Sequence, residues 1–265
     1  MKLLHSAKKS LGQNFLIDKN IIKKIVEVGN ILPKSTVLEI GAGTGNLTEY
    51  ILKKKPKKLF IIEKDEKLVE QLKERFDKKI HIINEDVLNV SENLICPDKL
   101  IVYGNLPYNI STQILSKWIT NDHQYNWYEN YILMFQKEVA DRILAQTNSK
   151  NFGRLSILSN WKLDVKKILN VNASCFVPKP KVQSTLLKFT PKKNYLKLKN
   201  SKNLEIVTRV FFNQRRKKIK KPLNQLFKKS GKIVEKLKLN IDLRPQNLSP
   251  ETYYLITKEY ESLRN

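Results

Sequence analysis

At 265 residues the chain exceeds the roughly 100–200 expected of one domain and has room for a large domain plus a small one. Its 41% hydrophobic content argues against disorder, and a formal charge of +25 points to a polyanionic partner such as RNA, DNA or an anionic membrane surface. No run of about 18 apolar residues and no signal-peptide succession is present, so a cytoplasmic protein is expected. Cys96 and Cys175 form no CxxC pair or Cys/His cluster, and His5, His81 and His123 are scattered, so neither a disulfide framework nor a metal site is indicated.

Short β-branched runs at Val37–Ile40, Lys58–Glu63, Ile80–Asp86, Lys99–Asn105 and Asn130–Gln136 alternate with helical segments. This βα succession predicts parallel strands joined by helical crossovers, with ligands at the carboxyl ends of the strands. The first strand runs into Glu39-Ile40-Gly41-Ala42-Gly43-Thr44-Gly45. Glycines there permit φ > 0 and let a ligand approach the backbone, and the helix that follows presents free N–H groups. Such a turn suits dinucleotide-binding folds as well. The second strand ends at Glu63, where a carboxylate can accept from both hydroxyls of a ribose; the third ends at Asp86, where one could accept from an adenine amino group. Two acids at successive strand ends after a glycine turn imply an adenosine-containing cofactor.

The fourth strand delivers Tyr103-Gly104-Asn105-Leu106-Pro107-Tyr108-Asn109, with Asn105–Tyr108 the most specific signature in the chain. An exocyclic aromatic amine is a poor nucleophile because its lone pair is delocalised into the ring. Neutral acceptors that hold its N–H groups favour a pyramidal, reactive amine. The Asn105 side-chain carbonyl can be one acceptor and the Leu106 backbone carbonyl the other, its direction restrained by Pro107. Tyr108 offers a face on which a base can stack.

Further along, residues 163–171 and 183–189 read as an antiparallel strand pair at the sheet edge, separated by the stiff Phe176–Lys181 stretch with Pro178 and Pro180. Beyond Pro191 the chain reads as helical segments interrupted by Pro222, Gly231 and Pro245. Residues 1–190 hold 30 Lys/Arg against 19 Asp/Glu, whereas residues 191–265 hold 20 against 6, so charge density is concentrated in the last quarter. The expected organisation is a cofactor-binding domain over 1–190 and a small basic helical domain over 191–265.

These residues resemble the ribosomal RNA adenine dimethyltransferase family, and the similarity runs through nearly the whole chain. Leu11-Gly12-Gln13-Asn14-Phe15-Leu16 looks like the family's N-terminal cofactor-covering motif, in which Asn14 and Leu16 would contact S-adenosylmethionine. The resemblance implies a Rossmann-like class I methyltransferase fold, α/β, with Gly41 near the methionine part of that cofactor, Glu63 at the ribose, Asp86 at the adenine ring and Asn105 at the reacting site. Phe176, in Phe176-Val177-Pro178-Lys179-Pro180-Lys181-Val182, matches the family's second aromatic, which would sandwich the target adenine against Tyr108. Gln136–Ala140, Gly153–Ser156 and Phe211–Lys217 also look like family segments, the last expected to meet RNA. Leu106 within the tetrapeptide and the full basic helical domain favour the small-subunit branch over the macrolide-resistance branch.

The implied activity is transfer of two methyl groups to N6 of each of two adjacent adenines near the 3′ end of 16S rRNA, by a cytoplasmic monomer without a metal. Two other classes compete. A ribosome-assembly factor without turnover is opposed by intact Asn105, Tyr108 and Glu63; a nicotinamide-dependent dehydrogenase rests on the glycine turn and Glu63 alone.

Overall fold

The computed structural model describes residues 8, 12–121 and 127–263. Leu11, the first residue of the N-terminal motif, lies outside them, as do His5 and His123. The described residues fall into two compact units: a sheet unit from residues 8, 12–117, 127–140 and 165–191, and a helical unit from residues 118–121, 141–164 and 192–263.

The sheet unit opens with a two-residue strand, β1 (Phe15–Leu16), and α1 (Lys19–Val28), whose start is fixed by the Asp18 carboxylate accepting from the N–H groups of Asn20 and Ile21. There follow β2 (Thr36–Ile40), α2 (Asn46–Lys53), β3 (Lys58–Ile62), α3 (Glu66–Phe76), β4 (His81–Ile83), β5 (Leu100–Asn105), α4 (Ser111–Thr120), β6 (Tyr128–Gln136) and α5 (Lys137–Ile143). After α6 (Arg154–Lys162) the chain returns through β7 (Leu163–Val171), β8 (Phe176–Val177) and β9 (Ser184–Pro191). The seven-stranded sheet has the order β4-β3-β2-β5-β6-β9-β7. The β4, β3, β2, β5 and β6 neighbours pair in parallel, and β9 runs antiparallel to β6. All of β2, and β5 as far as Gly104, are buried, which is why these segments read as near-continuous apolar runs rather than alternating ones.

The expected α/β architecture with its edge strands is therefore present, with two local differences. The third predicted strand is shorter than Ile80–Asp86, ending at Ile83. Asp86 turns the chain instead, its side chain accepting from the Leu88 N–H and its carbonyl from the Asn89 N–H. A separate antiparallel pair, β1 with β8, joins Phe15 to Val177 and Leu16 to Phe176.

Strand order reverses between β3 and β5 around β2, so the crevice for a ligand opens beyond the carboxyl ends of β2 and β5. Register brings Ile40 opposite Gly104, and the next residues, Gly41 and Asn105, are neighbours: a Cβ on Gly41 would lie 3.9 Å from the Asn105 carbonyl oxygen.

In the helical unit, α6 and residues 192–263 build a second core. Its helices are α7 (Lys202–Phe212), α8 (Lys220–Leu226), α9 (Ser230–Lys236) and α10 (Pro250–Ser262). Helix α10 is started by Ser249, which caps the Thr252 N–H, with Pro250 at the first helical position. The Tyr254 hydroxyl donates to the Ile157 carbonyl at 2.9 Å, and the Phe211 and Tyr253 rings meet edge-on at 5.3 Å. Among the described residues no helix is long and apolar enough to cross a membrane.

Candidate active site

One cavity occupies the crevice, lined by Asn14, Leu16, Gly41, Glu63, Asp86, Asn105, Leu106 and Tyr108 among others. Of the site residues expected from sequence, Phe176 alone is not brought to this wall. It is 2% exposed and belongs to the hydrophobic core around Leu16, Ile25 and Leu186. The pairing of β8 with β1 sets Phe176 opposite Leu16, which does line the cavity.

The glycine turn shapes one end of the cavity. Gly43 has φ +57°, a conformation costly for residues with a Cβ, and a Cβ there would come within 2.8 Å of the Phe15 ring. Its N–H donates to Glu63 Oε2 at 3.0 Å, and the Asp65 N–H donates to Glu63 Oε1 at 3.0 Å. Burial raises the Glu63 pKa, and these two N–H groups pull it back. A carboxylate has about four lone-pair sites, so both oxygens keep capacity for ribose hydroxyls. Asp86 differs: Lys64 Nζ lies 2.9 Å from Oδ2 and, with the Leu88 N–H, holds the carboxyl below its usual range. It is thus an acceptor at neutral pH, as an adenine amino group requires.

At the carboxyl end of β5, Asn105 Nδ2 donates to the Asn14 carbonyl at 2.8 Å. A backbone carbonyl can only accept, so this bond fixes which way the amide points and leaves Oδ1 as the free acceptor end. The Tyr108 hydroxyl meets Ser184 Oγ at 2.5 Å, anchoring the half-buried ring to a fully buried side chain at the start of β9. Leu106 is 1% exposed and sits between them in sequence, just before Pro107.

Two features were not legible before the structure. Glu39 lines the same cavity fully buried, accepts from the Thr48 hydroxyl at 2.7 Å, and has its pKa pushed up to about 8 by burial. The N-terminal strap is latched by Asp65, which accepts from Gln13 Nε2 and pairs with Lys8 Nζ, both at 2.9 Å, while Asn46 Nδ2 holds the Leu16 carbonyl at 2.8 Å. Only the family motif signalled that strap.

In the helical unit, the Phe211–Lys217 segment divides. Phe211 is buried, Phe212 packs on Phe152 and Tyr253, and Arg215 bonds the Lys150 carbonyl and Gln246 Oε1, so these build the unit. Arg216 and Lys217 are exposed.

A mainly parallel sheet with its switch-point crevice, one acid just past β3, another in the turn beyond β4, and Asn-Leu-Pro-Tyr at the end of β5 define a Rossmann-like methyltransferase. The chain belongs to the ribosomal RNA adenine dimethylase family, whose model matches residues 4–262, and it is an rRNA adenine dimethyltransferase. It is 59% identical to the ribosomal RNA small subunit methyltransferase A of Pelagibacter ubique (strain HTCC1062) across 97% of this chain and 98% of that protein. It is 40% identical to the protein of the same name from Wolbachia sp. subsp. Drosophila simulans (strain wRi), across 99% and 96%. Among solved structures, a dimethyladenosine transferase from Plasmodium falciparum superposes with a TM-score of 0.81 at 28% identity, covering 94% of this chain and 98% of that one. The 23S rRNA methyltransferase ErmE shares the fold with a TM-score of 0.68 at 20% identity, covering 93% and 99%.

Proposed function

We propose that this enzyme transfers methyl groups from S-adenosylmethionine to the N6 amines of two adjacent adenines near the 3′ end of 16S rRNA, yielding N6,N6-dimethyladenosine. Small-subunit specificity is supported by the names of the relatives quoted above. The observation that carries the chemistry is the Asn105 amide, oriented by the Asn14 carbonyl inside the cavity that also contains Glu63, Asp86 and Tyr108.

When bound, the cofactor supplies an electrophilic methyl on a sulfonium, itself a good leaving group. The chain's own work is placement. Asn14, Leu16 and Gly41 would enclose the methionine and ribose side of the cofactor, Glu63 would accept from the ribose hydroxyls, and Asp86 from the adenine amine. Each target adenine must leave its stack, at a cost of a few kcal/mol, and the Tyr108 face offsets part of this. Asn105 Oδ1 and the Leu106 carbonyl then take the N–H groups of the target amine, directing its lone pair at the methyl. Alignment and proximity contribute most of the acceleration. Tyr108 supplies the stacking face that lines the cavity, and Phe176 would supply the second aromatic wall.

Exposed Lys and Arg of residues 192–238 hold the surrounding RNA, and the enzyme works in the cytoplasm as a monomer. The reading is tested by incubating the protein with radiolabelled S-adenosylmethionine and either undermodified small subunits or large subunits, then analysing nucleosides by mass spectrometry. Labelled dimethyladenosine at neighbouring 3′-terminal positions of the small-subunit rRNA is expected. Label confined to large subunits overturns the substrate, and tight subunit binding without label makes the protein an assembly factor.

A further inference from the structure

Gln136 is unused by the chemistry described so far. It closes β6, and because side chains alternate along a strand it shares a face with Met134, which lines the main cavity and pairs with Asn105. Its partner on β9 is Ser184, the residue that holds the Tyr108 hydroxyl. Gln136 therefore stands by the hydroxyl end of the ring on which a base would stack. A smaller pocket adjoins this point, lined by Gly12, Asn14, Tyr108, Asn109 and Gln136. The Gln136 side chain is partly exposed and makes no hydrogen bond to another described residue.

A carboxamide is both donor and acceptor, whereas the carbonyls of Asn105 and Leu106 only accept. Those two carbonyls satisfy the hydrogens of the reacting amine and leave unmet the two ring nitrogens flanking it, N1 and N7, which need a donor. Gln is a side chain suited to the edge of adenine, where amine and ring nitrogen lie side by side. We propose that Gln136 is a specificity-determining residue whose side-chain N–H donates to a ring nitrogen beside the target amine while the base lies on Tyr108. The inference rests on the adenine-methylating reading above. A site built around such a bond rejects a base that lacks the acceptor, because its own donor is then left unpaired.

The test compares wild type, Gln136→Leu and Gln136→Glu on small subunits reconstituted with adenosine, 1-deazaadenosine or 7-deazaadenosine at the target positions. Both variants are expected to keep the wild-type melting temperature and cofactor affinity and to lose about tenfold in kcat/KM on adenosine, the scale of one hydrogen bond left unmade. One deaza substrate should cost wild type a similar factor and cost Gln136→Leu nothing further, and which one it is identifies the nitrogen. Variants within twofold of wild type, or deaza penalties equal in wild type and Gln136→Leu, overturn the proposal. No transfer by wild type to adenosine subunits removes instead the functional reading on which it stands.

Discussion

The two units use charge in opposite ways. In the sheet unit three acids are buried and individually tied: Glu39 to the Thr48 hydroxyl, Glu63 to the N–H groups of Gly43 and Asp65, and Asp65 to Gln13 and Lys8. In the helical unit the cations Arg216, Lys217, Lys220 and Lys221 stand exposed, while the interior is built from Phe211, Tyr253 and Tyr254. Buried groups act through direction at one atom and are poorly screened by salt; exposed cations act through summed field and are screened strongly. Catalysis and RNA capture should therefore respond to different perturbations.

The largest effect is expected at the reacting end. Asn105→Ala should lower turnover about 100-fold, the scale of losing one preorganised transition-state partner, with cofactor affinity near wild type by calorimetry. If its carboxylate serves the cofactor as proposed, Glu63→Ala should weaken S-adenosylmethionine binding by tens-fold in the same calorimeter and leave RNA affinity alone. Replacing Arg216, Lys217, Lys220 and Lys221 together by Gln should weaken subunit binding about tenfold at low salt and flatten its log–log salt dependence by about 3, because fewer counterions are released. Cofactor binding should not change.

Two smaller effects sharpen the contrast within the sheet unit. Phe176→Leu should cost about 1–2 kcal/mol in denaturant unfolding, as a trimmed core aromatic, and reduce turnover less than Tyr108→Ala. Equal losses of turnover would mean that the ring leaves the core to form the second wall. Glu39 retains its proton up to about pH 8 in the folded protein but releases it near 4.5 when unfolded. The folded state thus binds more protons between those values, and this group's contribution falls as pH rises through that window. Glu39→Gln should flatten the fall by on the order of 1 kcal/mol per pH unit, measured by unfolding at pH 5 and pH 8.

The strand-end residues were legible because their signal is local. Glu63 and Asn105 each close a β-branched run, Gly41 opens the turn after another, and parallel topology alone carries such positions to one crevice. Asp86 reached the same cavity although its strand stops three residues earlier, since the Asx-type turn keeps it at that end. The strap was not legible from periodicity: β1 has two residues, and its partner β8 lies some 160 positions away. Phe176 carries the motif, while its 2% exposure in the core is a matter of tertiary packing. Neither its burial nor the grouping of residues 141–164 with 192–263 leaves a trace in local pattern. Sequence places Gln136 in a family-like segment without giving it a role, because only the pairing of β6 with β9 sets it beside Tyr108.

The division of labour is tested most directly by single-turnover methylation of undermodified small subunits at increasing protein concentration, for wild type, Asn105→Ala and the four-fold Gln variant. The account predicts that Asn105→Ala loses rate at saturation with its half-saturation point unchanged, and that the four-fold variant shifts half-saturation while reaching the wild-type rate. If both variants lose the same parameter, chemistry and RNA capture are not separated as described.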